Sequence, residues 1–482
     1  MGDTCDVCIV GAGLAGMNAL FVASRYLARG QKVILIDRRP GPGGMWLDAY
    51  RYVRLHQPHP MFTAGNIGWT LGRERAHLAD RREILEHFQH CVADIERRVT
   101  VDERYGWALE SDEETFDGVR VVCRDPAGET RVIHAGKLIK AYGFSIQPNE
   151  PLALSSERVS SVSPDFCDIR DGEIGRSDAP VWVIGGGKTA MDTAHALITN
   201  SAGREVNLLA GSGMIFTNRD RFFPAGAQRW WGGTSLNGLA LALTRRFDGT
   251  NEDDVRDWFL ARYGLTVTPQ ARHLMLGVLS ERERQTIADG LNDVLTDHLV
   301  DVVDRNGATD LLLRSGATKS IEPGSWIVNC TGYLGRHERP YEPYVSPSGA
   351  VLSVNMRSAA LHFSSYSAYF LTHLLFLDKL GDIPIYALDL QDLMIKAKQV
   401  LPFAMFTLAQ HNLGLIADAV PGKVFSECGL DFNLWYPWHR RTASNVQFLL
   451  THRRERAHLQ RTLDTVAERF GVRCAPLELA QA

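Results

Sequence analysis

The chain has 482 residues, 45% hydrophobic and 22% charged, with 52 Lys+Arg against 56 Asp+Glu and a formal net charge of −4. At roughly 100–200 residues per domain this length holds about two to four domains, and the composition excludes a disordered, collagenous or low-complexity chain. The balanced charge supplies no basic face for nucleic acid or an anionic membrane, and eight cysteines make no disulfide scaffold, so a cytoplasmic enzyme is expected.

Val7-Cys8-Ile9-Val10 is a short apolar run, the pattern of a strand buried on both faces of a parallel sheet. The apolar stretch from Val7 to Ala23 lacks a basic leader and is broken by Gly11, Gly13 and Gly16, so it is not read as a signal peptide. Asp6 stands where myristoylation after Met1-Gly2 needs Ser or Thr. Cys5 and Cys8 fall on the strand at i and i+3, on opposite faces, and no metal site is expected.

The strand runs into Gly11-Ala12-Gly13-Leu14-Ala15-Gly16, a helix with apolar residues at Leu14, Met17, Leu20, Phe21 and Leu27, and a second apolar run, Val33 to Ile36, ending in Asp37. Gly11 allows the tight turn, Gly13 lets a pyrophosphate approach the backbone, and Gly16 lets the helix pack on the strand. The helix N-terminus offers unpaired N–H groups to phosphate, and Asp37, 21 residues after Gly16, is placed to accept from a ribose diol. Arg38 follows the acid as a further nucleotide contact.

A second unit begins about 170 residues later: Val181 to Ile184, then Gly185-Gly186-Gly187-Lys188-Thr189-Ala190, a helix through Met191, Ala194 and Leu197, and a return strand from Val206 to Leu209. Gly185, Gly187, Lys188, Thr189 and Ala190 are the expected contacts of a second dinucleotide. Two such units in one chain point to electron transfer between FAD and a nicotinamide cofactor. The return strand ends in uncharged Ala210-Gly211-Ser212-Gly213, where an acid would select NAD. Arg219 and Arg221 follow and could meet a 2′-phosphate, which favours NADPH; as solvated loop residues they would leave NADH open.

Residues 225–295 read as a helical insertion with Trp230-Trp231 and an amphipathic run from Glu281 to Leu299, and Asn306-Gly307 signals a two-residue hairpin turn. Val400 to Val420 is apolar but carries Pro402, Gln410, His411, Asn412 and Asp418, which indicates a buried or amphipathic helix, not a membrane span.

These features resemble the two-dinucleotide-binding-domain flavoproteins, and within them the class B flavin-containing monooxygenases. Beyond the glycine units, Gly43-Gly44-Met45-Trp46 is similar to that family's G-G-x-W beside the flavin. Ile139-Lys140-Ala141-Tyr142-Gly143 resembles the segment that leaves the FAD domain, and Asn329-Cys330-Thr331-Gly332-Tyr333 the one that returns to it. The resemblance implies an α/β fold of two Rossmann-like dinucleotide-binding domains, one inserted in the other, with added helical segments. Residues 1–150 plus 325–380 would bind FAD, 176–324 the nicotinamide cofactor, and 382–482 would form a helical region. It adds Gly44, Met45, Trp46, Gln57, Val101, Gly332 and Tyr333 as cofactor contacts, with the Val101 backbone at adenine.

The implied activity is oxygenation of a small organic molecule by O2 through a C4a-(hydro)peroxyflavin, at N or S or in a Baeyer–Villiger reaction. A homo-oligomer is compatible with it. Two departures bear on that activity. The family's F-x-G-x-x-x-H fingerprint is absent from Val159 to Phe166, and its Y-K-S-V-x-x-N aligns with Tyr50 to His56, so His56 replaces an asparagine. His56 is therefore the candidate catalytic group, able to donate a hydrogen bond or trade a proton near neutral pH; an ordinary loop histidine is the competing reading. Ser364 is placed to cap a helix that would face the flavin. A flavin oxidase without oxygen insertion, and a FAD-binding regulatory protein, remain as alternative functions.

Overall fold

The computed structural model describes residues 2–143, 148–201, 203–332 and 339–477. The N-terminal part is built on β1 (Asp3–Val10), α1 (Leu14–Tyr26), β2 (Lys32–Asp37), α2 (Arg81–Glu96), β3 (Thr100–Tyr105), β4 (Ala108–Thr115), β5 (Gly118–Arg124) and β6 (Thr130–Lys140). Strands β3-β2-β1-β6 lie parallel in that order, so β1 has a neighbour on each side and its C-terminal end is the switch point where such sheets bind ligands. On the edge away from β1, the eleven residues of β6 are shared between two partners: Thr130 to Ala135 pair antiparallel with β5, while Leu138 to Lys140 take a later parallel strand. Val7, Ile9, Val33 and Leu35 face α1 and α2, and Cys8, Val10, Ile34 and Ile36 face the β5 side, which is why these runs are continuously apolar.

The second sheet follows from β7 (Ser160–Val162), α3 (Glu173–Arg176), β8 (Val181–Ile184), α4 (Lys188–Asn200) and β9 (Val206–Leu209). Then come β10 (Met214–Asn218), α5 (Arg219–Phe222), α6 (Leu236–Thr244), α7 (Glu252–Tyr263), β11 (Gly264–Thr266), β12 (His273–Leu279), α8 (Glu281–Gly290), β13 (Val294–Leu295), β14 (Leu299–Arg305), β15 (Ala308–Leu313), β16 (Thr318–Ile321) and β17 (Trp326–Asn329). Its order is β13-β9-β8-β17-β7, again with the glycine strand flanked on both sides. The β14-β15-β16 meander covers one face through Val302 and Leu311, and α4 and α8 cover the other through Met191 and Ile287. Asn306 (φ 52°) and Gly307 (φ 85°) join β14 to β15 with both central residues left-handed, the geometry of a type I′ turn.

Two boundaries differ from the sequence reading. Strand β17 pairs with β8 and β7, so residues 326–329 belong to the second sheet and not to the returning FAD segment. The 225–295 region is not wholly helical. β11 and β12 pair with β10 in a small three-stranded sheet, and the run from Glu281 breaks after Gly290 because Val294-Leu295 pair with the end of β9.

The remaining elements are β18 (Val351–Ser353), α9 (Ser364–Phe376), β19 (Tyr386–Leu388), α10 (Leu390–Lys396), α11 (Leu401–Ala419), α12 (Gly422–Ser426), α13 (Trp438–Phe470) and β20 (Cys474–Pro476). β18 adds to β6, and α9 packs on α1 with Tyr369 stacked on Phe21. α11 is buried along most of its length, and no helix among the described residues is long and apolar enough to cross a membrane. Its Phe403 and Leu408 join Leu239 and Leu243 of α6 and Leu463 and Val466 of α13 in one core. The insertion and the C-terminal region thus form a single helical unit.

Candidate active site

The first glycine turn is held from both sides. Gly11 has φ 110°, and a Cβ there would meet the Ala141 carbonyl oxygen at 2.5 Å; a Cβ on Gly16 would collide with the Gly11 carbonyl. Glycine is required at both positions for these reasons. Asp37 is buried and accepts from the Ala12 N–H at 2.7 Å and the Arg39 N–H at 2.9 Å, so it braces the turn as well as facing the cavity. The segment that resembles G-G-x-W lies against the turn: Gly43 N–H donates to the Ala12 carbonyl, and a Cβ on Gly44 (φ 55°) would meet Gly13 Cα at 2.7 Å. Trp46 packs edge-on to Phe62, with Met45 more exposed at the same wall.

At the second turn Gly185 (φ 129°) stands against the Cys330 carbonyl as Gly11 stands against Ala141. Gly187 meets little: a Cβ would find only Met214 Cε, at 3.9 Å. Lys188 pairs with Asp192 one turn along α4, and Asp192 also accepts from the Tyr50 hydroxyl at 2.8 Å. Thr189 lines the cavity and Ala190 is buried beneath it.

His56 is located where these parts meet. Its ring and Gln57 line the cavity, and its carbonyl accepts from Arg219 Nε at 2.7 Å. Burial, reinforced by the Lys188 cation, pushes the imidazole down to about 3. This corrects the expectation of a proton exchanged near neutral pH: in its buried setting the ring is neutral and acts as a hydrogen-bonding group. Arg219 is buried and forms a two-pronged pair with Glu283, at 2.7 and 3.3 Å. Burial tends to raise the Glu283 pKa, but Arg219, Lys188 and the Ser280 amide outweigh it and hold the carboxyl near 2. Arg219 is therefore engaged in a structural ion pair, and Arg221 is exposed outside the cavity lining. The basic side chain beside the Ala210–Gly213 turn is another, His298, whose Nε2 would lie 3.3 Å from a Cβ on Gly211.

A cavity of about 1190 Å3 runs between the two turns, above the roughly 300–1,000 Å3 of most single-ligand sites. Three helices begin at its wall: α1 behind Gly13, α4 behind Gly187 and α9 behind Phe363. None has a side-chain cap, so their first N–H groups are left for a ligand. Ser364, expected as a cap, is instead the first residue of α9 and faces the cavity, because Phe363 occupies the cap position. By contrast α2 and α8 carry complete capping boxes, Asp80 with Glu83 and Ser280 with Glu283.

Val101 is far from the nucleotide end. It pairs with Val33, four residues before Asp37, whereas Trp107 N–H donates to the Asp37 carbonyl and its side chain lines the cavity with Tyr142. Val101 is therefore not among the cavity-lining residues, whereas Trp107, Ala108 and Leu109 are. Gly332 lines the cavity, and Tyr333 lies outside the described residues. Trp230 stacks on His439 and Trp231 is 73% exposed, so that pair does not line the cavity. All eight cysteines are free. Cys330 is the cysteine at the cavity, and burial pushes its thiol up to about 12.

The far wall comes from the helical unit: Leu390, Met394, Lys398, Leu401 and Met405 stand opposite Met275 and Leu276. Here β12 bulges. Three of its residues, 275–277, oppose the single Phe216 of β10, and Leu276 takes φ 55°. Such a bulge re-aims side chains, and it directs this stretch toward the cavity.

Residues 5–229 match the family model of the pyridine nucleotide-disulphide oxidoreductases. An uncharacterised protein of Mycobacterium tuberculosis is 31% identical over 209 residues, 40% of this chain and 36% of that protein. One of the polypeptides of opine oxidase from Agrobacterium tumefaciens is 29% identical over 149 residues, 31% of this chain and 25% of the relative. The chain spans about a third of the length of the first of these curated relatives and a quarter of the second. Among solved structures, an open crystal structure of cyclohexanone monooxygenase superposes with TM-score 0.50 at 13% identity, covering 80% of this chain and 90% of that one. The fold is that of the two-dinucleotide-binding flavoproteins, and the chain resembles their class B monooxygenases.

Proposed function

We propose that the protein is a FAD- and NADPH-dependent monooxygenase of a small organic molecule, acting on it with O2. The observation that carries this reading is the cavity onto which two open glycine turns and three uncapped helix N-termini converge. The chain fits both cofactors, because glycine at 13 and 187 puts no side chain at the helix ends where a pyrophosphate binds. The α1 amides and Gly13 hold the FAD pyrophosphate, Asp37 its ribose, Arg38 and Trp107 the adenosine end, and Gly44, Met45 and Trp46 flank the ring system. The α4 amides, Gly187, Lys188 and Thr189 hold the nicotinamide dinucleotide. The uncharged Ala210–Gly213 turn beside His298 favours the 2′-phosphate of NADPH over the bare ribose of NADH.

A flavin held there would supply the redox and oxygen chemistry. The chain's part is to position and to exclude water. Neutral His56 and Gln57 offer hydrogen bonds between the two turns. The α9 N-terminus directs N–H groups at the cavity, which favours developing negative charge there. The apolar wall of α10 and α11 keeps that end dry.

An oxidase without oxygen insertion is the second reading, favoured by the missing F-x-G-x-x-x-H fingerprint. Disulfide reduction has no support at the cavity, since among the described residues Cys330 has no second cysteine beside it. The test is rapid mixing of the reduced holoenzyme with oxygen. A transient flavin spectrum distinct from both reduced and oxidised forms is expected, with product formed in step with NADPH consumed. Direct return to oxidised flavin with release of hydrogen peroxide overturns oxygenation in favour of the oxidase.

A further inference from the structure

Seven of the chain's ten methionines line the large cavity. Met45 stands beside Trp46 near the first glycine turn, Met214 beside Gly187 at the second, and Met61 and Met405, with partly buried Met275, Met356 and Met394, belong to the core of the helical unit. Methionine is unbranched and polarisable, so a wall of it adapts to apolar shapes without fixing one. The part lined by the helical unit adjoins the second glycine turn, where a Cβ on Gly277 would stand 3.9 Å from Lys188 Cβ. It is closed by the β12 bulge on one side and by Met394, Leu401, Pro402 and Met405 on the other. This end is built from elements that hold neither dinucleotide in the proposed arrangement, which leaves it for substrate.

Its charge is equally uneven. The ionic side chains of the cavity gather at the adenosine end, as Asp37, Arg38, Arg39 and Arg339, and at the second turn, as Lys188. On the α10–α11 wall the single ionic lining residue, among the described residues, is Lys398, which is exposed in the link between the two helices beside Ile395. The charged groups acting on neighbouring His273, which opposes Met214 across the sheet, are Lys398, His298 and Arg256, all of them basic. A lone cation at the rim of a soft apolar chamber suits a ligand that is apolar along its body and negative at one end.

We propose that the chamber binds an amphipathic monoanion, a carboxylate on a flexible apolar chain or ring body, with the carboxylate at Lys398 and the body among the methionines. This rests on the monooxygenase reading for what happens to the substrate, but not for whether it binds.

The test is calorimetric titration of the oxidised FAD-loaded protein, without reductant, with decanoate, 1-decanol and decyltrimethylammonium. Decanoate binds most tightly and the cationic probe most weakly. Lys398→Gln weakens decanoate about fivefold, the scale of an exposed ion pair, and leaves decanol unchanged. Lys398→Glu reverses the order of decanoate and the cation, a result that mere misfolding cannot produce. Met405→Asp weakens decanoate and decanol alike. Equal binding of all three probes, or none, overturns the proposal. So does a Lys398→Gln protein that keeps decanoate but loses NADP+ affinity, which would assign Lys398 to a nucleotide phosphate. A protein that shows the decanoate preference yet returns oxygen only as hydrogen peroxide separates the two readings: the chamber assignment stands and oxygenation falls.

Discussion

In both glycine units the first glycine of the turn abuts the carbonyl that ends the neighbouring strand, Gly11 at Ala141 and Gly185 at Cys330, and a Cβ on the N-capping glycine would meet only ordinary contacts, Gly44 Cα at 3.4 Å for Gly13 and Met214 Cε at 3.9 Å for Gly187. The units part at their second strands. The first ends in Asp37, whose carboxylate is tied to two backbone N–H groups of its own turn region; the second ends in Ala210 and two left-handed glycines, with His298 close by. The first helix starts with apolar Leu14, the second with Lys188 neutralised by Asp192. The shared half is what any pyrophosphate needs. In the proposed function the different half would select which dinucleotide, and it also shows which unit depends on distant parts of the chain: Arg219, Glu283 and His56 converge only at the second.

Gly11→Ala and Gly185→Ala break the shared half. Each puts a Cβ against a backbone carbonyl at positive φ, and each is expected to cost about 2–5 kcal/mol in thermal or urea unfolding. Unequal losses would mean that the two turns are not equivalent in the fold. Arg219→Ala strikes the second unit alone. It strands Glu283, is expected to cost about 3–5 kcal/mol, and leaves the ratio of NADPH to NADH activity unchanged; a collapse of that ratio would return Arg219 to the 2′-phosphate. Asp37→Asn strikes the first alone, weakening FAD about tenfold by equilibrium dialysis with little change in the KM for NADPH.

A gentler asymmetry is expected with pH. His56 is held near 3 against an ordinary 6.5, and Glu283 near 2 against 4.5. In both cases the unfolded chain takes the proton first, so their contribution is complete above about pH 6.5 and is lost as pH falls toward those values. The melting temperature should be level above neutrality and decline below about 6.5, and His56→Gln should shallow the decline between roughly 6.5 and 4. A wild-type melting temperature unchanged down to pH 5 would contradict the burial of His56. Smallest of all, Arg221→Ala is expected to shift stability by no more than about 0.5 kcal/mol and to leave cofactor use intact.

The local requirements were legible in the sequence. Glycine turns, the acid after β2 and the Asn306-Gly307 hairpin depend on residues a few positions apart, where steric rules act directly. What depended on register or on long separations was not. Val101 matched a strand pattern, but only the pairing with Val33 places it away from Asp37. Arg219 reads as a free cation until Glu283, 64 residues on, is brought to it. His56 reads as a neutral-pH titrating group until buried beside Lys188. The helical unit joins α6 to α11 and α13 across more than 150 residues, so its cavity wall had no local signature.

The central claim is that the first turn holds FAD and the second a nicotinamide cofactor that reduces it. Gly187→Ala tests it most directly, because the added methyl meets only Met214 Cε at 3.9 Å and leaves the fold undisturbed while crowding the phosphate approach. Anaerobic titration with NADPH should bleach the flavin of the wild-type protein. The variant should purify with the same flavin content and bleach with dithionite, yet reduce far more slowly with NADPH. A colourless wild-type protein, or a variant that NADPH reduces as fast as wild type, would contradict the account.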